Sequence, residues 1–367
     1  MLDLKRQTEI KHTILEKYLW AWLKILSKRR SLLYYVDGFA GPGRYEDRST
    51  GEIKPGSPVI AIEAYLDHKK KGEQYELKFI NVEKDEANWR ELEDSTKILK
   101  SEVDLENIPG EFLDNIDYIL KKIGNAFAFF FIDPFGISGI EFAEIEKVFA
   151  RDETEILLNF NYDGLQRCVG ELENLNHPDP KRKSKAERTI DRVCNMLSLA
   201  KEELREIVTS SGLPRNKEIS LLGDYVNKLR NYKVFVYPLP LKVPGKERTF
   251  YYLIFMTSNI YALSIMKDIM KKEKKTERGE HLLFLPLPEV EPENLKQKLF
   301  SKYEGRTVER EEVLTDFLPK VIYFDKEDYL ARDIDKALNS LAKDTDMPVS
   351  KTRGRVPWNP VYKFGRR

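Results

Sequence analysis

Cysteine is nearly absent from this chain: Cys168 and Cys194 stand alone, with no CxxC spacing and no Cys/His cluster. That excludes a structural zinc site, an iron-sulfur cluster and a disulfide framework. Histidine is almost as scarce, and His12, His68, His177 and His281 are scattered without a nucleophile or ligand partner, so no metal is expected and none of them is given a role. Net charge is missing too. Lysine and arginine total 62 against 61 acids, a formal +1, so overall charge names no partner and only local clusters can. Uninterrupted apolar runs of membrane length do not occur, and the start, MLDLKRQTEIKHTILEKYLWAWLKIL, lacks the apolar core and cleavage site of a signal peptide. The expectation is a soluble, cytoplasmic protein with no membrane association. Two phosphate-binding patterns are absent as well. Gly41-Pro42-Gly43 is followed by Arg44-Tyr45-Glu46, which leaves GxGxxG incomplete, and there is no GxxxxGK[ST]. The incomplete pattern argues against a dehydrogenase.

What is present is enough apolar sequence for a large core, 41% of 367 residues, and a length that suits two domains. Residues 8–28 place Ile10, Ile14, Tyr18, Trp22 and Ile25 at helical spacing, with Lys11, Glu16, Lys24 and Lys28 on the remaining faces. Strand-like runs then alternate with helical ones: SLLYYVDGF, a glycine loop, a helix opened by Ser57 as N-cap and Pro58, YELKFINVEKD, a helix, an element near SEVDLENIPGEF, a helix, AFAFFFIDPFG, a helix and TEILLNFNYDG. That rhythm predicts a doubly wound, mostly parallel α/β sheet with helices on both faces. Residues 170–190 read as a polar insertion, with KRKSK a solvated run. NYKVFVYPLPLKVPGKERTFYYLIFMTSN predicts an antiparallel hairpin closing the sheet. The first domain therefore covers 1–285, and HLLFLPLPEVEPEN is a link to a second at 290–367. There, helical patterns near 293–303, 307–318 and 326–343 and strands around MPVSKTR and NPVYKFGR predict a winged-helix-like module.

Ligands of such sheets bind at the carboxyl ends of the strands, where every distinctive motif falls. Asp37, Gly38, Phe39, Ala40, Gly41 and Gly43 form D-x-F-A-G-x-G, which resembles the first motif of S-adenosylmethionine-dependent methyltransferases. In those enzymes the glycines let backbone pass close to the methionine part of the cofactor. Glu83 ends the second strand, where an acid can accept both ribose hydroxyls. Glu111 falls where such enzymes carry an acid near the adenine amino group. Asp133-Pro134-Phe135-Gly136 resembles the D-P-P-Y tetrapeptide of amino-group methyltransferases, in which acid and proline carbonyl orient the target amine and an aromatic stacks on the base. Here Phe135 replaces the second proline and Gly136 the aromatic. Asn159, Asn161, Tyr162 and Asp163 end the fifth strand in what reads as a turn beside the substrate mouth. Trp20, Trp22, Tyr34 and Tyr35 read as core.

KHTILEKYLWAW, VDGFAGPGRY, GSPVIAIEA, VEKD, IDPFG, NFNYDG and the closing YKF together resemble the three-Cys-motif partner family. The resemblance implies a Rossmann-like methyltransferase fold and S-adenosylmethionine as cofactor. It also implies association with a radical-SAM-like protein bearing a three-cysteine motif.

KTRGRVPWNPVYKFGRR ends the chain with Lys351, Arg353, Arg355, Lys363, Arg366 and Arg367 and no acid, with Trp358 and Tyr362 interleaved. Lys351, Arg353 and Arg355, on the expected wing, are the candidate nucleic-acid contacts, DNA or RNA. Two readings stay open. One is a methyltransferase acting on an exocyclic amino group of nucleic acid; the other is a non-catalytic module of the same fold that binds nucleic acid or docks a partner.

Overall fold

The computed structural model describes residues 2–3, 6–47, 50–72, 74–212, 214–242, 249–272, 291–319, 328–344, 347, 349–356 and 359–366. Most of the expected interdomain link, the Pro-Gly turn, His281, Trp358 and Arg367 lie outside the described residues. These residues divide into two compact units, the first covering the chain to Ser258 together with residues 269–272 and the second holding Asn259–Asp268 and the described residues from 291 onward.

The first unit is built on a seven-stranded sheet. Its strands in chain order are β2 (Leu32–Asp37), β5 (Glu76–Glu83), β6 (Asp104–Pro109), β7 (Phe127–Ile132), β8 (Thr154–Phe160), β9 (Phe235–Lys242) and β10 (Thr249–Thr257). In space they run β6-β5-β2-β7-β8-β10-β9. β6 through β8 pair in parallel, while β10 is antiparallel to both β8 and β9. This is the doubly wound Rossmann-like sheet with an antiparallel closing hairpin that the alternating pattern predicts. β7 and β8 are buried along nearly their whole length, so FAFFFI and TEILLNF carry apolar side chains on both faces.

Helices α1 (Arg6–Leu26), α2 (Ser57–Lys69), α3 (Glu86–Thr96), α4 (Phe112–Ile123) and α5 (Phe142–Phe149) accompany the parallel strands. The stretch after β8 holds α6 (Tyr162–Val169), α7 (Pro180–Leu197), α8 (Lys201–Ser210) and α9 (Pro214–Leu229). KRKSK lies exposed in the first turns of α7 rather than in a loop. Nor is the glycine-rich stretch all loop. It contains the hairpin β3 (Arg44–Asp47) and β4 (Glu52–Pro55), joined by the short β1 (Leu2–Asp3). RYED and EIKP are too polar to carry a period-two apolar signal, which is why they read as loop.

The second unit has α11 (Pro292–Tyr303), β11 (Thr307–Glu309), α12 (Arg310–Phe317), α13 (Ala331–Leu341), β12 (Val349–Thr352) and β13 (Val361–Phe364). Its antiparallel sheet runs β11-β13-β12. Residues 307–309 form a strand where a helix was expected. From α10 (Ile260–Lys272), buried Lys267 donates to the Leu318 carbonyl at 2.7 Å and pairs with Asp328 at 2.5 Å.

Candidate functional site at the carboxyl edge of the sheet

From β2 the chain steps outward to β5 and β6, then returns to β7 on the other side. The reversal falls between β2 and β7, and a doubly wound sheet leaves a crevice at such a point. Asp37 closes β2 in register with Phe131 of β7, and Asp133 follows two residues later. The two candidate acids therefore stand on neighbouring strand ends at the switch point.

Asp37 is fully buried and organises the glycine loop. Its carboxylate accepts from the Phe39 amide and the Tyr35 hydroxyl, each at 3.2 Å. The Ser57 hydroxyl also bonds it, so Ser57 serves Asp37 rather than capping α2, whose N-cap is Gly56. Burial pushes the Asp37 carboxyl up to about 7 against these hydrogen bonds. The loop is then stitched across the sheet edge: Gly38 N–H to the Phe131 carbonyl, 3.0 Å, and Ala40 N–H to the Val82 carbonyl, 2.9 Å. Gly41 (φ 62°) and Gly43 (φ 74°) occupy the left-handed region. A Cβ at Gly41 would lie 2.6 Å from the Tyr45 hydroxyl, and one at Gly43 would lie 2.3 Å from Ser95 Oγ.

Glu83, at the end of β5, is committed to backbone. One oxygen accepts from Gly41 N–H at 2.8 Å and the other from Asp85 N–H at 2.7 Å. A carboxylate oxygen has a further lone pair, so ribose hydroxyls fit Glu83 only as additional donors. Glu111 follows β6 as the N-cap of α4, exposed and 3.6 Å from Lys84. Phe39 lies beside Phe112, ring centroids 5.8 Å apart.

Asp133 has a partner that sequence reasoning missed. Lys11 Nζ lies 2.6 Å from each of its oxygens, and Asn159 Nδ2 donates at 2.7 Å. Lys11 is buried, not on the polar face of α1, and its ammonium also sits 5.1 Å from the centroid of the Tyr251 ring. His12 is buried beside it, its ring 5.8 Å from that of Tyr45. Desolvation lowers the His12 pKa to about 4, partly offset by the Asp133 charge, so the imidazole is neutral at pH 7. Burial, then the fields of Asp133, Asp37 and Glu83, raise the Tyr45 phenol. Burial together with Asp133 lifts Tyr251 to about 12. In the tetrapeptide, Pro134 is buried, Gly136 has φ 99° and Phe135 is 95% exposed. Asn161 is not in a turn: it caps α6 by accepting from Gly164 N–H at 2.8 Å. The only sequence signal for Lys11 was a lysine adjoining a histidine on an otherwise amphipathic helix.

Asp37, Glu83 and Asp133 thus each have protein partners at the sheet edge: Asp37 holds the glycine loop, Glu83 holds the Gly41 and Asp85 amides, and Asp133 is balanced by the Lys11 ammonium. Trp22, Tyr34 and Tyr35 are core, as expected, whereas Trp20 is half-buried, edge-on to His68 with the Lys71 ammonium over its ring, because it sits at the rim of α1 rather than under it. Lys351, Arg353 and Arg355 belong to the second unit and are exposed. None of the described helices is long and apolar enough to cross a membrane.

No protein-family model matches this chain, and no curated protein matches it. Among solved structures it is similar to protein LPL1258 of Legionella pneumophila, family DUF519, at 12% identity, 72% of this chain, 91% of that one and TM-score 0.45. It is also similar to an O-methyltransferase from Bacillus cereus in complex with SAH, at 14% identity, 66% and 80% coverage and TM-score 0.31. The O-methyltransferase TomG from Streptomyces achromogenes, in complex with SAM, gives 11%, 66% and 79%, and 0.30. The strand order, rather than these likenesses, carries the fold.

Proposed function

We propose that the first unit binds S-adenosylmethionine at the switch point and is a methyltransferase for an exocyclic amino group of nucleic acid. The observation that carries this is the meeting of the glycine loop, Glu83 and Asp133 on adjacent strand ends at the reversal of the sheet. In this reading the backbone of Gly38–Gly43 passes the methionine part, Glu83 adds ribose contacts to those it already makes, and Glu111 approaches the adenine. The cofactor supplies an activated methyl group. Asp133 and the Pro134 carbonyl orient the amine, and Phe135, projecting from its loop, stacks on the base. Calorimetric titration should find S-adenosylmethionine binding, and labelled methyl transfer to DNA or RNA should vanish in Asp133→Ala. Absence of cofactor binding sinks the reading.

A second reading is favoured by one observation: the Asp133 carboxylate already holds an amine, that of Lys11. A chain of this fold that no longer turns over and instead binds nucleic acid or docks a partner would have this lock. Transfer that depends on Asp133 excludes it. The family resemblance adds a radical-SAM-like three-Cys-motif protein as partner, testable by copurification. For the second unit, the order helix, strand, helix, helix, strand, strand and the sheet order β11-β13-β12 support a winged helix, with Lys351, Arg353 and Arg355 at its wing.

A further inference from the structure

α13 has two opposite faces. Ile334, Ala337, Leu338 and Leu341 are buried, whereas Arg332, Lys336, Asn339 and Ser340 are exposed, and Lys343 continues the exposed row in the turn that follows. At 3.6 residues per turn, positions 332, 336, 339 and 343 fall within an arc of about 60°. The stripe is basic because the neighbouring acids are used internally. Asp335 takes a two-pronged contact from Arg310, 2.7 Å at each nitrogen. Asp333 accepts from Leu330 N–H at 3.2 Å, and Asp344 faces Met347 N–H and Lys296. Arg332, Lys336 and Lys343 make no ion pair among the described residues. Lys351 of β12 donates to Asn339 Oδ1 at 2.8 Å, which joins the stripe to the strand that leads to exposed Arg353 and Arg355.

We infer that the exposed face of α13 enters the major groove of duplex DNA, with Lys351, Arg353 and Arg355 on the flanking phosphates. This rests on the nucleic-acid reading of the second unit and goes beyond it in naming the reading element and the form of nucleic acid. Eleven residues make a helix about 16 Å long. A convex helix face with long basic side chains fits a groove about 12 Å wide, as in B-form DNA. The deep, narrow major groove of A-form RNA does not admit it. A merely solvated row of basic residues would show no preference for DNA, and its removal would leave affinity unchanged.

The test is fluorescence anisotropy of the full chain with a 20-base-pair DNA duplex, the RNA duplex of the same sequence and the single strands, over a salt series. The wild type should favour duplex DNA. Arg332→Ala/Lys336→Ala/Lys343→Ala should weaken that binding by about tenfold or more. Its log–log salt slope should flatten by about 0.9 for each phosphate that the variant no longer neutralises. Thermal melting should be unchanged, because the three side chains are exposed. Lys69→Ala/Lys97→Ala/Lys121→Ala, exposed lysines of the first unit, should leave both quantities alone, and Lys336→Arg should retain affinity. If Lys351→Ala/Arg353→Ala/Arg355→Ala weakens binding while the α13 triple does not, the α13 inference fails and the nucleic-acid reading survives. Tighter binding to duplex RNA also overturns the inference. No binding to any nucleic acid overturns both.

Discussion

Lys11 and Asp133, 122 residues apart in sequence, form a two-pronged ion pair at 2.6 Å, with side chains only 6% and 15% exposed. The first turns of α1 are thereby fastened to the end of β7. An ion pair this dry is worth more through what its rupture leaves behind than through its own attraction.

Lys11→Met should therefore destabilise the chain by about 3 kcal/mol, since it strands a carboxylate that only Asn159 still serves. Lys11→Met/Asp133→Leu should recover most of that loss. Urea unfolding of the two singles and the double gives the coupling directly. A loss under about 1 kcal/mol in Lys11→Met would reduce the contact to the worth of a surface pair.

The Asp37 carboxyl titrates near 7 in the fold against about 3.8 in the unfolded chain. Below the unfolded value both states are protonated and Asp37 has no effect. As pH rises from about 4 toward 7 the unfolded chain releases its proton first, so stability falls, and above 7 the deficit is constant. That rise corresponds to a loss on the order of 4 kcal/mol. Asp37→Asn, which still accepts from Phe39 N–H, should flatten this part of the stability profile. An unchanged slope between pH 4 and 7 would show that the carboxyl is not desolvated as the fold implies.

How much of this was readable beforehand depends on the range of the signal. AFAFFFI and TEILLNF announced buried parallel strands because composition alone distinguishes them, and the acids and glycines after each strand marked where the strands end. Lys11 could not be read. Its role comes from a contact with Asp133, 122 residues further along the chain, and locally it is one lysine among several on α1. Ser57 was misread for a similar reason: a serine before proline is a good N-cap in isolation, but here Asp37, twenty residues earlier, takes its hydroxyl. The Glu83 contacts with Gly41 and Asp85 were likewise invisible, because a strand-end acid looks the same whether it faces a ligand or backbone.

Those contacts make Glu83 testable without any ligand. Glu83→Ala orphans two backbone amides at the loop, so the cofactor-free chain should lose about 1–3 kcal/mol in urea unfolding. Cofactor affinity, measured by calorimetry on the folded fraction, should fall as well. Full stability in Glu83→Ala would mean that water replaces the carboxylate at no cost and that the loop is not held by it.

The last prediction separates the two reasons for glycine at position 43. Any side chain there meets a φ of 74°, which costs on the order of 1–2 kcal/mol for an L-residue. A Cβ would also lie 2.3 Å from Ser95 Oγ, an atom held in place by hydrogen bonds to the Pro42 and Leu92 carbonyls at 3.0 Å each. Gly43→Ala should thus destabilise by more than backbone strain alone. In Gly43→Ala/Ser95→Ala the hydroxyl is gone and the nearest remaining contacts, Leu92 Cδ1 at 3.1 Å and Ser95 Cβ at 3.4 Å, are tolerable with a small shift. The double variant should then be more stable than the sum of the singles predicts, by an interaction energy of about 1 kcal/mol or more, leaving only the strain. Strict additivity in urea unfolding would show that φ alone demands the glycine and that α3 yields freely to the loop.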